Sequence, residues 1–332
     1  MHPVTFPDPF QRTSQRLRVV AVIPARYAST RLPAKPLLDI AGRPMIEHVY
    51  RRAAQARGVD AVVVATDDAR IAAAVERFGG IVRMTAPAHR TGTDRIAELA
   101  RSLACDIIVN VQGDLPLVEP QMIAQVIAPL NADASLPMAT ICTRLTDPEE
   151  YTRPSVVKVV TDRSGRALYF SRAPIPYIAH SGGEAGVQDN PAKAGLHEHP
   201  AEAGLHDYPA KAGLHVNEAE AGLRENRTSS VVESGFSRTL PTAGGIFKHI
   251  GMYAYRRDFL LQFAALPQTP LEQAESLEQL RALEHGFDIR VVETGYESIE
   301  IDTPDDLERV RRLMARHSAV IADAGAQAAT RA

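Results

Sequence analysis

Cysteine is scarce in this chain. Only Cys105 and Cys142 occur in 332 residues, each inside an apolar segment. No disulfide framework can form from them, and both read as buried thiols in a reducing compartment. A basic excess is also missing. The 37 Lys and Arg against 40 Asp and Glu leave a formal charge of −3. That speaks against a general nucleic-acid binder and requires any cationic site to be local. No apolar run approaches the roughly 18 residues of a membrane-spanning helix. The opening residues, MHPVTFPDPFQRTSQRL, lack the continuous apolar stretch of a secretory signal. The expectation is a soluble, cytoplasmic protein without a nucleic-acid or membrane partner. Two nucleotide-binding signatures are absent too, the dinucleotide-binding G-x-G-x-x-G and the P-loop G-x-x-x-x-G-K-[ST]. A dehydrogenase and a P-loop ATPase are therefore disfavoured.

What the chain does have is apolar residues, at 45%, in short runs that alternate with helical patterns. RVVAVIP, DAVVVAT, GIVRM and CDIIVNVQG read as strands. Between them, PMIEHVYRRAAQARG, DDARIAAAVERFGG and TGTDRIAELARSLA have helical spacing. Thr66 is the expected cap of the second helix and Gly79 its stop. The alternation predicts an α/β fold with a mixed, mostly parallel sheet and helices on both faces. After residue 130, MATICTRL, SVVKVVTD, RALYFSR, HIGMYAYR, DIRVVET and SIEID read as further strands of the same sheet. Asp162 to Gly165 makes a hairpin turn. TPLEQAESLEQLRALEHG and TPDDLERVRRLMARH read as helices.

Residues 182–226 repeat a nine-residue unit five times, from GGEAGVQDN to EAEAGLREN. Each unit offers one Leu or Val as its large apolar residue, too little to build an element that buries a face. The organisation expected is a loose extension over 1–16, one domain over 17–317 with a flexible insertion at about 180–245, and a tail over 318–332. His197, His199, His206 and His215 lie in the repeat, without thiolates or fixed geometry to favour a metal site.

The stretch VIPARYASTRLPAKP leaves the first strand with Arg26, Arg31 and Lys35 close together. Ligands of parallel sheets bind beyond the carboxyl ends of strands. Backbone N–H groups, the three cations and the hydroxyls of Ser29 and Thr30 make this loop a phosphate cradle or a solvated basic turn. Asp114, in VQGDLPLVEP, follows another buried strand. It is a Mg²⁺ ligand or a turn aspartate. Asp302, in SIEIDTPDD, precedes a helix start with Thr303 as cap and Pro304 first in the helix. Spacing alone does not bring the two aspartates together. Thr93 and Asp94 suit either a ligand loop or a helix start. His249, Tyr253 and Tyr255 share one face of a strand, as a pocket wall or a half-buried surface. Glu278 and Gln279 fall on a helix, where solvated polar residues are the default.

Taken in order, VVAVIPARYASTRLPAKPL, GRPMIEHVYRRA, VVVATDD, GTDRIAEL, IIVNVQGDLPLVEP, VVKVVTD, ALYFSRAPIPY, HIGMYAYR, LEQLRALEHG and IDTPDDLERVR closely resemble the 3-deoxy-manno-octulosonate (Kdo) cytidylyltransferases, or CMP-Kdo synthetases. The resemblance spans about 18–178 and 247–316. It implies a Rossmann-like nucleotidyltransferase fold, usually a homodimer, and the reaction CTP + Kdo → CMP-Kdo + pyrophosphate, which activates Kdo for lipopolysaccharide. It implies that Arg26, Ser29, Arg31, Lys35, Thr93, Arg95 and Gln112 bind the nucleotide. Asp114 and Asp302 would hold Mg²⁺ and, with Arg26 and Lys35, carry catalysis. Arg172, His249, Tyr253, Glu278 and Gln279 would line a cationic, hydrogen-bonding sugar pocket. Two positions depart from the family pattern. Ala34 stands where Gly often precedes the loop lysine, and is expected to limit backbone approach slightly. Leu115 stands where Glu often follows the aspartate, and removes a carboxylate. A transferase acting on another 2-keto sugar acid, such as 8-amino-Kdo or sialic acid, shares all these features outside the sugar pocket. A non-catalytic nucleotide-binding adaptor would not need the intact Arg26, Lys35, Asp114 and Asp302.

Overall fold

The computed structural model describes residues 17–28, 32–178 and 245–316. The N-terminal extension, the nine-residue repeat and the C-terminal tail expected from the sequence lie outside them. Among the described residues no helix is long and apolar enough to cross a membrane.

Strand β1 (Val19–Ala25) is the axis of the fold. Its residues are almost all buried, and they alternate between two cores. Val19, Ala21, Ile23 and Ala25 enter one, Val20 and Val22 the other. A strand with period two can be apolar throughout only if both sheet faces are covered. β4 (Ala61–Thr66) and β6 (Ile107–Asn110) flank β1 in parallel and divide their side chains in the same way. β5 (Ile81–Met84) pairs beyond β4. Helices α1 (Met45–Ala54), α2 (Ala69–Arg77) and α4 (Pro120–Ala132) cover the first face. Helices α3 (Gly92–Ala100), α6 (Arg257–Ala265) and α8 (Gln279–Glu284) cover the second.

The later strands extend the same sheet. β10 (Phe247–Arg256) runs antiparallel between β6 and β7 (Met138–Arg144), and β11 (Ile289–Glu293) pairs in parallel beyond β7. β8 (Lys158–Thr161) joins β10 and carries β9 (Ala167–Ser171). The path reads β11-β7-β10-β6-β1-β4-β5, with β8 and β9 branching from β10. The parallel half ends its strands at one rim, which is where the basic loop leaves β1. The two cysteines are buried and unpaired, and burial pushes both thiols up to about 12.

Three local expectations change. SIEID is not a strand. Its main chain runs along the loop after β6, where Ile301 N–H donates to Asp114 O at 3.1 Å. Among the described residues it joins no ladder of the sheet. TPLEQAESLEQLRALEHG is not one helix. α7 (Pro270–Glu275) stops at Ser276, whose left-handed φ of 51° breaks the coil, and α8 restarts at Gln279. The cap of α2 is Asp68, not Thr66. Asp68 accepts Arg70 N–H at 2.9 Å, while the Thr66 hydroxyl accepts Asp68 N–H two residues earlier. The final helix (304–316) begins as read, with Thr303 and Asp306 exchanging hydrogen bonds in a capping box.

Candidate active site

The loop after β1 turns through a single 3₁₀ turn, Lys35–Leu37, which delivers the Lys35 side chain to the rim. Its ammonium donates to Asp114 Oδ2 at 2.7 Å and to Asp302 Oδ1 at 3.1 Å. Burial disfavours the charge, but the two carboxylates outweigh it and hold the ammonium above its ordinary value. Asp114 reaches this point because the loop after β6 passes very close to β1. A Cβ on Gly113 would stand 3.0 Å from Pro24 O, so any larger residue would have to push the two main chains apart by a few tenths of an ångström. Asp302 arrives through the Ile301 bond to the Asp114 carbonyl. The two aspartates named from sequence therefore do meet, with the loop lysine between them.

Ala34 is stressed in a way the sequence did not reveal. It adopts φ 57°, ψ 25°, the left-handed region, while its N–H donates to Tyr27 O at 3.1 Å. The departure from glycine acts on the backbone conformation rather than on ligand approach. The left-handed penalty of about 1–2 kcal/mol for a residue with Cβ exceeds the extra unfolded-state freedom of Gly. Ala34→Gly should therefore stabilise the protein by about 0.5–1 kcal/mol, read as a higher urea midpoint. An unchanged or lower midpoint would remove the strain from the account. Leu115 is buried in the first core, so this position packs the fold and presents no group to the rim.

A third carboxylate joins the pair. Asp114, Glu300 and Asp302 each bring one carboxylate oxygen within 4.8 Å of the others. Asp114 Oδ1 is buried and has no hydrogen-bond partner. An all-oxygen donor set with one desolvated, unsatisfied oxygen fits a hard divalent cation. Glu300 was missed in the sequence because SIEID was read for its strand pattern. Its place two residues before Asp302 was the available signal, since extended chain puts i and i+2 on one side.

The other expected nucleotide residues take diverse positions. Arg26 is exposed just past the end of β1. Ser29 and Arg31 lie outside the described residues. Thr93 and Arg95 sit in the first turn of α3 and are buried. Arg95 is spent on the fold, donating to Thr85 Oγ1 at 2.5 Å and to Asp67 Oδ2 at 3.1 Å. Gln112 Nε2 donates to Gly251 O at 3.2 Å. That carbonyl is turned out by the register shift between Ile250 and Tyr253 in β10. A cation not singled out from sequence, Arg70, lies over the Tyr27 ring at 3.3 Å from its centroid, beside the loop.

The five expected sugar residues gather on the second face, around β10 and the start of α8. Their polar groups are largely engaged within the fold. Arg172 donates to three main-chain carbonyls, Glu275 O at 2.8 Å, Pro154 O at 3.0 Å and Ser276 O at 3.4 Å. It ties the end of β9 to the α7–α8 break. The fully buried Lys158 supports the same knot, donating to Arg153, Val156 and Arg172 carbonyls. Burial lowers the Lys158 affinity for its proton. Glu278 and Gln279 begin α8 because Ser276 breaks the coil before them. Glu278 Oε1 and Gln279 Nε2 are buried without a hydrogen-bond partner.

His249 packs between Phe170 and Tyr253, at 5.1 and 5.4 Å between ring centroids. Its Nε2 lies 2.9 Å from Thr140 Oγ1. The Thr140 proton goes to Met252 O at 2.8 Å, so the imidazole donates from Nε2 and keeps Nδ1 as an acceptor. Burial pushes its pKa down to about 3. The ring is neutral at working pH and offers a hydrogen bond, not a charge. The sign for stability follows. Below about 6.5 the unfolded chain takes up a proton at this position and the folded chain does not until about 3. Stability is lost as pH falls across that window. His249→Gln should flatten this loss, measured as urea midpoints at pH 7.5, 6.0 and 5.0; parallel curves for both proteins would refute it.

Against known proteins, the family model of the cytidylyltransferases matches residues 20–291. The 3-deoxy-manno-octulosonate cytidylyltransferase of Geobacter metallireducens is 47% identical over 302 residues, covering 90% of this chain and 99% of its own. The protein of the same name from Syntrophotalea carbinolica is 48% identical over 294 residues, covering 89% and 97%. Among solved structures, a CMP:2-keto-3-deoxy-manno-octonic acid synthetase complexed with CTP is 39% identical. It superposes with a TM-score of 0.69 over 90% of this chain and 99% of that one.

Proposed function

The chain belongs to the cytidylyltransferase family, and from that premise we propose that it transfers CMP from CTP to the anomeric hydroxyl of 3-deoxy-D-manno-octulosonate, giving CMP-Kdo and pyrophosphate. The observation that carries the reading is Lys35 held between Asp114 and Asp302 at the strand-end rim, in a chain that spans nearly the whole length of relatives named for this activity. CMP-Kdo is the activated sugar for lipopolysaccharide synthesis. The resemblance extends the reading to a cytoplasmic homodimer.

The sugar hydroxyl attacks the α-phosphorus of CTP and releases its proton to solvent, the bond to the bridging oxygen breaks, and pyrophosphate leaves with its charge. Such transfer needs positioning and charge stabilisation more than covalent help from the protein. Lys35 and Arg26 neutralise the triphosphate, and Ser29 and Arg31 complete the cradle. Asp114 and Asp302, with Glu300, would hold Mg²⁺, which when bound polarises the α-phosphate and favours the attacking oxygen. His249 Nδ1, Glu278 and Gln279 orient the sugar acid by hydrogen bonding.

Pyrophosphate release with CTP, Mg²⁺ and a panel of Kdo, 8-amino-Kdo and sialic acid tests the proposal. Fastest release with Kdo supports it. Preference for another acid moves the chain to that substrate, and CTP binding without release on any sugar overturns catalysis altogether.

A further inference from the structure

Thr93 entered as a nucleotide ligand, but its surroundings point elsewhere. It is 4% exposed, and its hydroxyl donates to Glu278 Oε2 at 2.5 Å, across 185 residues of chain. A threonine hydroxyl has one proton, and this one is committed to the carboxylate. Burial raises the Glu278 carboxyl above its ordinary value, and the Thr93 hydrogen bond works against that shift. The carboxylate thus sits against the first turn of α3, where the helix dipole favours negative charge.

The far side of Glu278 is fixed as well. Arg281 stands 3.9 Å from Glu278 Oε1, beyond hydrogen-bond reach. It cannot swing closer, because both oxygens of the buried Glu272 grip its guanidinium at 2.8 and 2.5 Å. Glu278 Oε1 is consequently buried, oriented and without a hydrogen-bond partner, and the adjacent Gln279 Nε2, on a residue 5% exposed, is in the same condition. Buried polar groups left in this way point to a missing partner. An acceptor and a donor side by side at a helix start suit the hydroxyls of a sugar.

We infer that Thr93 is a positioning residue for the sugar-acid half of the site, acting through Glu278, and does not bind the nucleotide. This rests on the proposed function and on Glu278 facing the sugar. Thr93 locks one carboxylate oxygen so that the other keeps a single direction toward the substrate. It also makes the first turn of α3 and the start of α8 one unit, so the two halves of the site are built against each other.

The test compares Thr93→Val, Thr93→Ser and Glu278→Gln with the wild-type protein. CTP binding is measured by calorimetry without sugar, and the KM for Kdo by pyrophosphate release. Losing a hydrogen bond to a charged group costs roughly ten- to hundred-fold, so Thr93→Val should raise the Kdo KM by that factor. CTP affinity should stay within about two-fold of wild type, a ratio set by the absent contact rather than by folding. Thr93→Ser should restore the Kdo KM, and Thr93→Val added to Glu278→Gln should cost little more than Glu278→Gln alone. Weakened CTP binding in Thr93→Val, or a Kdo KM that does not move, would overturn the inference. If Thr93→Val fails to fold, Thr93→Ala, which removes the same hydroxyl without β-branching in the helix, decides by the same two measurements. Thr93→Ala must raise the Kdo KM and spare CTP binding, and the reverse pattern overturns the inference. Wild-type turnover on Kdo is the separate control. Its absence defeats the functional reading, whereas variant-to-wild-type ratios bear on Thr93 alone.

Discussion

Lys35→Met is expected to lower pyrophosphate release by about 10³-fold with the fold intact, the scale on which removing a preorganised charge-stabilising donor acts. The ammonium touches both aspartates, and it lies on the loop that is proposed to cradle the triphosphate. Methionine keeps the length and removes the charge. A second readout separates this from simple unfolding. Without Lys35, Asp114 and Asp302 face one another with no ammonium between them, and Glu300 adds a third carboxylate nearby. The variant should melt lower than wild type in chelator and gain more from added Mg²⁺, since ligands that bind only the native state raise its stability. Lys35→Met with wild-type turnover would sink the assignment. An equal Mg²⁺ response in both proteins would separate Lys35 from the carboxylate cluster.

Asp114→Asn should be comparably damaging, by about 10²–10³-fold in turnover, for a different reason. It trades a charged oxygen pair for a neutral amide at the position where Oδ1 is buried and unsatisfied. The Mg²⁺ concentration giving half-maximal rate should rise, and Asp302→Ala should do the same. Calorimetric CTP binding in chelator should barely change in either variant, because neither carboxylate is asked to hold the nucleotide directly. Wild-type rates at low Mg²⁺ would remove these aspartates from the site.

Much of this architecture was legible because local pattern and tertiary environment agree. β1, β4 and β6 are apolar on both faces, and only a sheet covered twice tolerates that. Asp114 and Lys35 were legible as rim residues because each follows such a strand. Their meeting was not legible, since sequence separations of 79 and 267 residues carry no distance information. The break at Ser276 was hidden for another reason. Serine signals no left-handed conformation, and the continuous apolar spacing of the segment masks the interruption. That break decides where Glu278 and Gln279 point. The hydrogen bonds of the arginines were not legible either, because a residue letter reports a cation and not its commitments. Arg172 and Arg95 are both taken up by the fold. Ala34 shows the same gap at backbone level, since a missing glycine is visible in sequence but the angle it would have relieved is not.

The bond from Ile301 N–H to the Asp114 carbonyl has an evolutionary corollary. It is made by main chain, so it places no demand on the identity of the residue that donates it. Substitution at position 301 can wander among apolar types that fill the small core with Leu32, Ile40 and Met45 without shifting Asp302. Proline is the exception, because it has no N–H to give. A lineage drifting to proline there would uncouple the two rim carboxylates while leaving every side chain of the site in its alphabet.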